Sequence, residues 1–278
     1  MTGQRAGQTY QDTVAQHARA IAIPTQRGLL ARWDNELCIG LVGAPQAQGR
    51  VLLERIADEA FAVGVRIGGP GCTPNLLVLV TNEADRAASD LRHHYPSVFI
   101  TTERPERLLR GESQEALDRF LNSDRAVRSW HLSNLASSDG SPMLSVQLNP
   151  RDPSSVVPAL SSMGSSRMAS GFQEQFSRVF VIVDTTRLAG ATYEQLAGYI
   201  AMTALAQVRE EDFAGRLPTI LSLFSDLGAG RTPQAGMTRW DRAYLRGLYE
   251  ARSNAPSLVV QRGSIRRALE SEGPPPEG

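Results

Sequence analysis

Residues 178–184 read RVFVIVD and residues 192–208 read TYEQLAGYIAMTALAQV, with only a short turn between them. The first run is nearly all apolar and ends on Asp184, which predicts a buried strand. The second opens on a capping box, Thr192 with Gln195 three residues on, which fixes where the helix begins. From Leu196 to Ala206 that helix is apolar almost all the way round, so it must be covered on most sides. Ala197, Gly198, Ala201 and Ala204 are small and permit close packing against its neighbours. A buried strand feeding a buried helix requires further layers to cover both. The middle of the helix holds no His, Asp, Glu or Cys, the side chains that metal and acid–base chemistry would need.

The rest of the chain supplies those layers. Glu36–Val42 (ELCIGLV) and Asn75–Thr81 (NLLVLVT) are apolar runs of strand length, the second expected to be covered on both faces. Gln46–Gly64 carries Leu52, Ile56, Ala60 and Val63 at helical spacing. Glu83–His93 and Ser113–Asn122 read as shorter helices, the latter capped by Ser113. Ala126–Leu135 alternates imperfectly and reads as a half-exposed or edge strand. Residues 136–175 are rich in Ser, Gly and Pro, and read as a long loop or a loose hairpin around Leu144–Leu148. Arg216–Ser225 suggests a short buried helix. Met237–Tyr249 is a helix capped by Thr238, with Trp240, Ala243, Tyr244, Gly247 and Leu248 on one face and arginines on the other.

The fold class is therefore α+β, in a three-layer α/β-like arrangement. One domain is expected over 32–260. A polar N-terminal arm over 1–31 precedes it, with a weak helix near Tyr10–Ile23. A disordered tail is expected over 261–278, where the chain ends GPPPEG.

Charge narrows the range of functions. Among the 278 residues, 29 basic side chains balance 29 acidic ones, so no long-range field draws the chain toward nucleic acid or an anionic membrane. Every basic residue is Arg, which excludes a Schiff-base lysine and a P-loop lysine. No apolar run is long enough to predict a transmembrane segment. The first twenty residues lack the apolar core of a signal peptide, so a secreted or periplasmic location implies a signal already removed.

The local motifs point away from common catalytic sites. Gly43–Arg50 (GAPQAQGR) sits where phosphate loops sit but lacks their residues, and GGPG at 68–71 is in the wrong context for a dinucleotide site. His17, His93, His94 and His131 offer no i, i+4 pair for a metal. Ser161–Ser170 (SSMGSSRMAS) contains no GxSxG elbow. Asp184 at a strand end could serve a site or satisfy backbone N–H groups of the next turn; the structural role is favoured. No metal or cofactor is expected. Cys38 and Cys72 are either two buried thiols or one disulfide, the latter favoured if their strands are neighbours.

Taken in order, RWDNELCIGLVG (32–43), GCTPNLLVLVT (71–81), the 179–208 segment, LPTILSLFSD (217–226) and MTRWDRAYLRGLY (237–249) resemble an uncharacterised family of secreted bacterial proteins. In that family the first two segments carry paired cysteines, which implies a Cys38–Cys72 bond. The second half also resembles a degenerate zincin, a zinc-peptidase fold with HExxH on a buried helix. The likeness implies a mixed sheet with a buried central helix. Ala201 and Leu205 would replace the two histidines and Met202 the general base, so the copy would be metal-free. The function so implied is non-catalytic: a secreted or periplasmic scaffold that binds a partner protein or peptide. Strand addition along Arg128–Asn134 is one route, and Arg128, Trp130, Asp184, Tyr199 and Trp240 are the candidate cleft residues. The alternative is a hydrolase built on Asp184 with the Ser/Gly-rich 136–175 loop.

Overall fold

The computed structural model describes residues 2–99, 109–139, 143–147, 149, 151, 156–160, 170–209 and 217–275. Along the chain come α1 (Thr2–Ile21), β1 (Ile39–Val42), α2 (Gln46–Ala62), β2 (Leu76–Thr81), α3 (Ala84–His94), β3 (Leu109–Arg110), α4 (Gln114–Asn122) and β4 (Val127–Ser137). Then follow β5 (Met143–Gln147), β6 (Val156–Leu160), β7 (Phe172–Asp184), α5 (Tyr193–Leu205), α6 (Leu223–Gly228), α7 (Arg239–Tyr249) and α8 (Leu258–Ser271). Five strands make one mixed sheet in the order β1-β2-β7-β4-β3. β1, β2 and β7 run parallel, and β4 and β3 add antiparallel pairings.

The layering follows from strand alternation. Val179, Val181 and Val183 of β7 face a front core built from α1, α2, α5, α7 and α8. Phe180 and Ile182 face a back core with Trp130, Leu132, Phe120 and Ala88. A strand covered on both faces is the signature of a sheet between two helical layers, so the α+β reading stands. Helix α5 lies in the front layer, and Ile200, Ala201, Met202, Ala204 and Leu205 have no exposed surface.

Three expectations need correction. The tail over 261–278 is not disordered where it is described: α8 runs to Ser271, with Ile265 and Leu269 fully buried. The 1–31 arm is part of the domain. Val14, Ala18 and Ile21 of α1 are in the front core, and the Tyr10 hydroxyl donates to Leu269 O at 3.0 Å. Where it is described, the 136–175 segment is mostly strand rather than loop, and its β5–β6 pair matches the hairpin expected around Leu144–Leu148. β4 runs to Ser137, β5 pairs with β6, and β7 begins six residues before Arg178. Residues 161–169 of the Ser-rich stretch lie outside the described residues, as do Leu148 and Arg216.

Cys38 and Cys72 are bonded, with Cα atoms 5.9 Å apart. The bond pins the 68–74 connection onto the start of β1. Asn75 completes the junction: its side-chain Oδ1 accepts the Cys38 N–H at 2.8 Å and its Nδ2 donates to Glu36 O at 2.8 Å.

Helices α7 and α8 touch backbone to backbone at Gly247. A Cβ there would lie 2.6 Å from Ile265 Cα and 3.0 Å from Ser264 O. Alanine is the better helix former by about 1 kcal/mol, but forced overpacking costs about 1–3 kcal/mol. Gly247→Ala is therefore expected to destabilise the protein in urea unfolding; a gain in stability would refute this close contact.

Candidate functional site

The five candidate cleft residues do not meet. Trp130 is in the back core, its Nε1 donating to Val98 O at 2.9 Å. Arg128 points to the same face, where it is buried against Phe120 O, Leu121 O and Asp85. Tyr199 and Trp240 are front-core residues, Tyr199 edge-on to Phe224 and Trp240 bonded to Gly273 O at 3.3 Å. Packing takes up Trp130, Tyr199 and Trp240, whereas Arg128 also lines the smaller of two hollows beside β4.

Asp184 takes the structural role. Its Oδ1 accepts the N–H and hydroxyl of Thr186, at 2.9 and 2.6 Å, and its Oδ2 accepts Arg187 Nε at 3.0 Å. Burial alone would push its pKa up, but the bonds from Thr186 and Arg187 prevail and hold it below the ordinary carboxylate value. A depressed pKa contributes stability above the unfolded value near 4 that is lost as pH falls through the folded one. Asp184→Asn should thus lower the urea midpoint at neutral pH, and the gap from wild type should narrow as the pH falls below the unfolded value of about 4. A gap unchanged by pH would exclude the ionic contribution.

The Arg128–Asn134 edge is also not open throughout. β3 pairs with β4 at Asn134 and Ser133, and the strand's geometry shifts there by a bulge between Leu132 and Ser133. β3 is only two residues long. Beyond it, Glu112 replaces a strand: its Oε1 accepts the His131 backbone N–H at 2.8 Å and lies 2.9 Å from His131 Nδ1. His131 Nε2 sits 2.8 Å from Thr203 O, and since a carbonyl only accepts, Nε2 carries the hydrogen. Thr203 is in the last turn of α5, where carbonyls lack helical partners. His131 therefore ties the end of α5 to the strand, with both ring nitrogens engaged.

Where β3 stops short, a groove opens along β4. One wall is α4, with Ala116, Arg119, Phe120 and Ser123. The other is a bridged pair of segments, Ala22 against Val208, in which Ile23 N donates to Gln207 O at 3.1 Å and Arg209 N donates to Ile21 O at 2.8 Å. Two hollows share Ile23, Glu112, Ala116 and Arg119. The larger, about 300 Å³, reaches Gln26, His131, Ser133 and Gln207, and the smaller, about 140 Å³, reaches Arg125, Ser129 and Arg209. Among the described residues, Glu112 is the one carboxylate lining either, beside the arginines 119, 125, 128 and 209.

The larger hollow has polar groups in need of partners. Gln207 is 8% exposed and Ser133 5%, and neither side chain bonds to another described residue. Gln26 donates its Nε2 to Glu112 O at 2.9 Å, yet its Oε1 is buried with no partner. No local motif marked this site, because its residues come from four distant segments. The polar Ser129, His131 and Ser133 at alternate positions of one strand were the available signal.

Among the described residues, no three His, Cys, Asp or Glu side chains gather as a metal site would require, and no helix is long and apolar enough to cross a membrane. Compared with family models, curated proteins and solved structures, the chain matches none.

Proposed function

We propose that this is a non-catalytic, secreted or periplasmic protein that binds a segment of a partner protein in the groove beside β4. The scaffold is read as zincin-like, with the helix that would hold metal turned into core. The groove's unpartnered polar groups carry the reading. Leaving a polar group buried and unsatisfied costs about 1–3 kcal/mol, so native proteins leave few without a reason; Gln26 Oε1 is such an atom, and Gln207 and Ser133, whose side chains bond no described residue, line the same hollow. The disulfide supports an oxidising compartment.

The hydrolase alternative draws little support. The Ser/Gly-rich segment rejoins the sheet at Phe172, whereas Asp184 closes the other end of β7. At a strand rise of roughly 3.3 Å per residue these points are about 40 Å apart.

The test is cross-linked capture from a periplasmic extract, with wild type beside Arg119→Glu/Arg209→Glu. A discrete polypeptide held by wild type and lost by a variant of equal melting temperature is the expected result. Equal recovery by both proteins, or none by either, would refute the proposal.

A further inference from the structure

Resting on that reading, we infer that the groove recognises the free C-terminal carboxylate of its partner, with the last side chain, a carboxamide or hydroxyl, seated in the larger hollow. Three observations lead there. The first is charge. Arg119 is exposed on α4, lines both hollows and has no ion-pair partner among the described residues. A planar guanidinium matches a carboxylate through two parallel hydrogen bonds. Arg125 and Arg209 also line the smaller hollow, and among the described residues its acidic lining residue, Glu112, is already taken by His131.

The second is closure. The Gln26–Glu112 bond links the two walls of the larger hollow. A chain that enters beside Arg209 and Ser129 would run toward this link and past Arg119, which lines both hollows, and a chain that ends there sets its terminus within reach of Arg119. The third is the polarity of the floor. Gln207 and Ser133 line the hollow with side chains that bond no described residue, and Gln26 Oε1 lies in its wall, buried and without a partner. Such a set complements an amide or hydroxyl, whereas an aliphatic side chain would leave all of it unsatisfied.

Fluorescence anisotropy with N-terminally labelled octapeptides ending in Gln, Asn, Ser or Leu, each as free acid and as C-terminal amide, tests this. Free acids ending in Gln, Asn or Ser should bind at least about tenfold tighter than their amides. Arg119→Ala should abolish that difference. Gln207→Leu should erase the preference over Leu endings while keeping the acid-over-amide ratio, which a merely unfolded variant could not do. Acid and amide binding equally, an unaffected Arg119→Ala, or no binding of either form would overturn the inference. If capture sensitive to Arg119 and Arg209 persists in that event, carboxylate recognition alone falls; if capture fails too, so does the proposed function.

Discussion

Asp241→Ala is expected to lower the free energy of unfolding by about 3–5 kcal/mol, because it leaves several buried donors without an acceptor. Asp241 has no exposed surface and joins two parts of the front layer. Its Oδ1 accepts the Thr219 hydroxyl at 2.6 Å, and its Oδ2 accepts the N–H groups of Ile220 and Thr238, at 2.8 and 2.9 Å. The last is half of a capping box, whose other half is the Asp241 N–H donating to Thr238 Oγ1 at 3.0 Å. Thr238 in turn donates its hydroxyl to Pro218 O at 2.9 Å. One carboxylate thus starts α7 and anchors the turn that leads into α6. Alanine would strand three donors in a dry interior, each worth about 1–3 kcal/mol, and relaxation recovers part of the sum. Asp241→Asn can keep its amide oxygen on the Ile220 and Thr238 N–H groups and turn its N–H₂ to the Thr219 hydroxyl, which accepts as well as donates, so a smaller loss should remain. Urea unfolding followed by far-UV circular dichroism measures both, and a loss under about 1 kcal/mol for the alanine variant would show that the network is dispensable.

The Asp241 network was partly legible in the sequence, since Thr238 and Asp241 stand at capping-box spacing, and the same is true of Thr192 and Gln195 on α5. Local spacing signals survive folding because the partners are neighbours in the chain. The first half of β7 was not legible for the opposite reason. Gln173, Glu174 and Gln175 look like loop residues, yet all three are buried. Their partners are remote: Gln173 donates to Asp34 Oδ2 at 3.0 Å, and Glu174 pairs with Arg27 at 3.0 Å. Helix α8 hid behind Arg262, Arg266 and Arg267; its one core signal was Ile265 and Leu269, four residues apart. In β4 the strand was legible but its functional face was not. Arg128 and Trp130 looked more informative than Ser129, His131 and Ser133, and only the positions of α4 and the 207–209 segment reveal which face borders a groove.

Breaking the Cys38–Cys72 bond should cost about 4 kcal/mol, from the chain entropy it removes from the unfolded state by closing a loop with a sequence separation of 34. Its location concentrates the effect. β1 is a four-residue edge strand held on one side by β2, and the disulfide ties its entry at Cys38 to the 68–74 connection that leads into β2. That connection packs tightly, since a Cβ at Gly40 would meet Pro74 at 2.9 Å. The Leu37–Ile67 bridge, with Leu37 N donating to Arg66 O and Gly68 N to Leu37 O, both at 2.8 Å, covers only the strand's entry. In the Cys38→Ala/Cys72→Ala variant, amide exchange should therefore rise first over Ile39–Val42 and the 68–74 connection. β7, between β2 and β4, should stay protected until global unfolding. Urea unfolding of this variant beside wild type, each with and without dithiothreitol, gives the magnitude. The reductant should shift wild type toward the variant and leave the variant unchanged. A loss of 4 kcal/mol is a large share of the 5–15 kcal/mol typical of a folded domain, so yield in a reducing compartment should fall with it. If wild type is as stable reduced as oxidised, the bond is not what holds this edge, and the argument for an oxidising location loses its support.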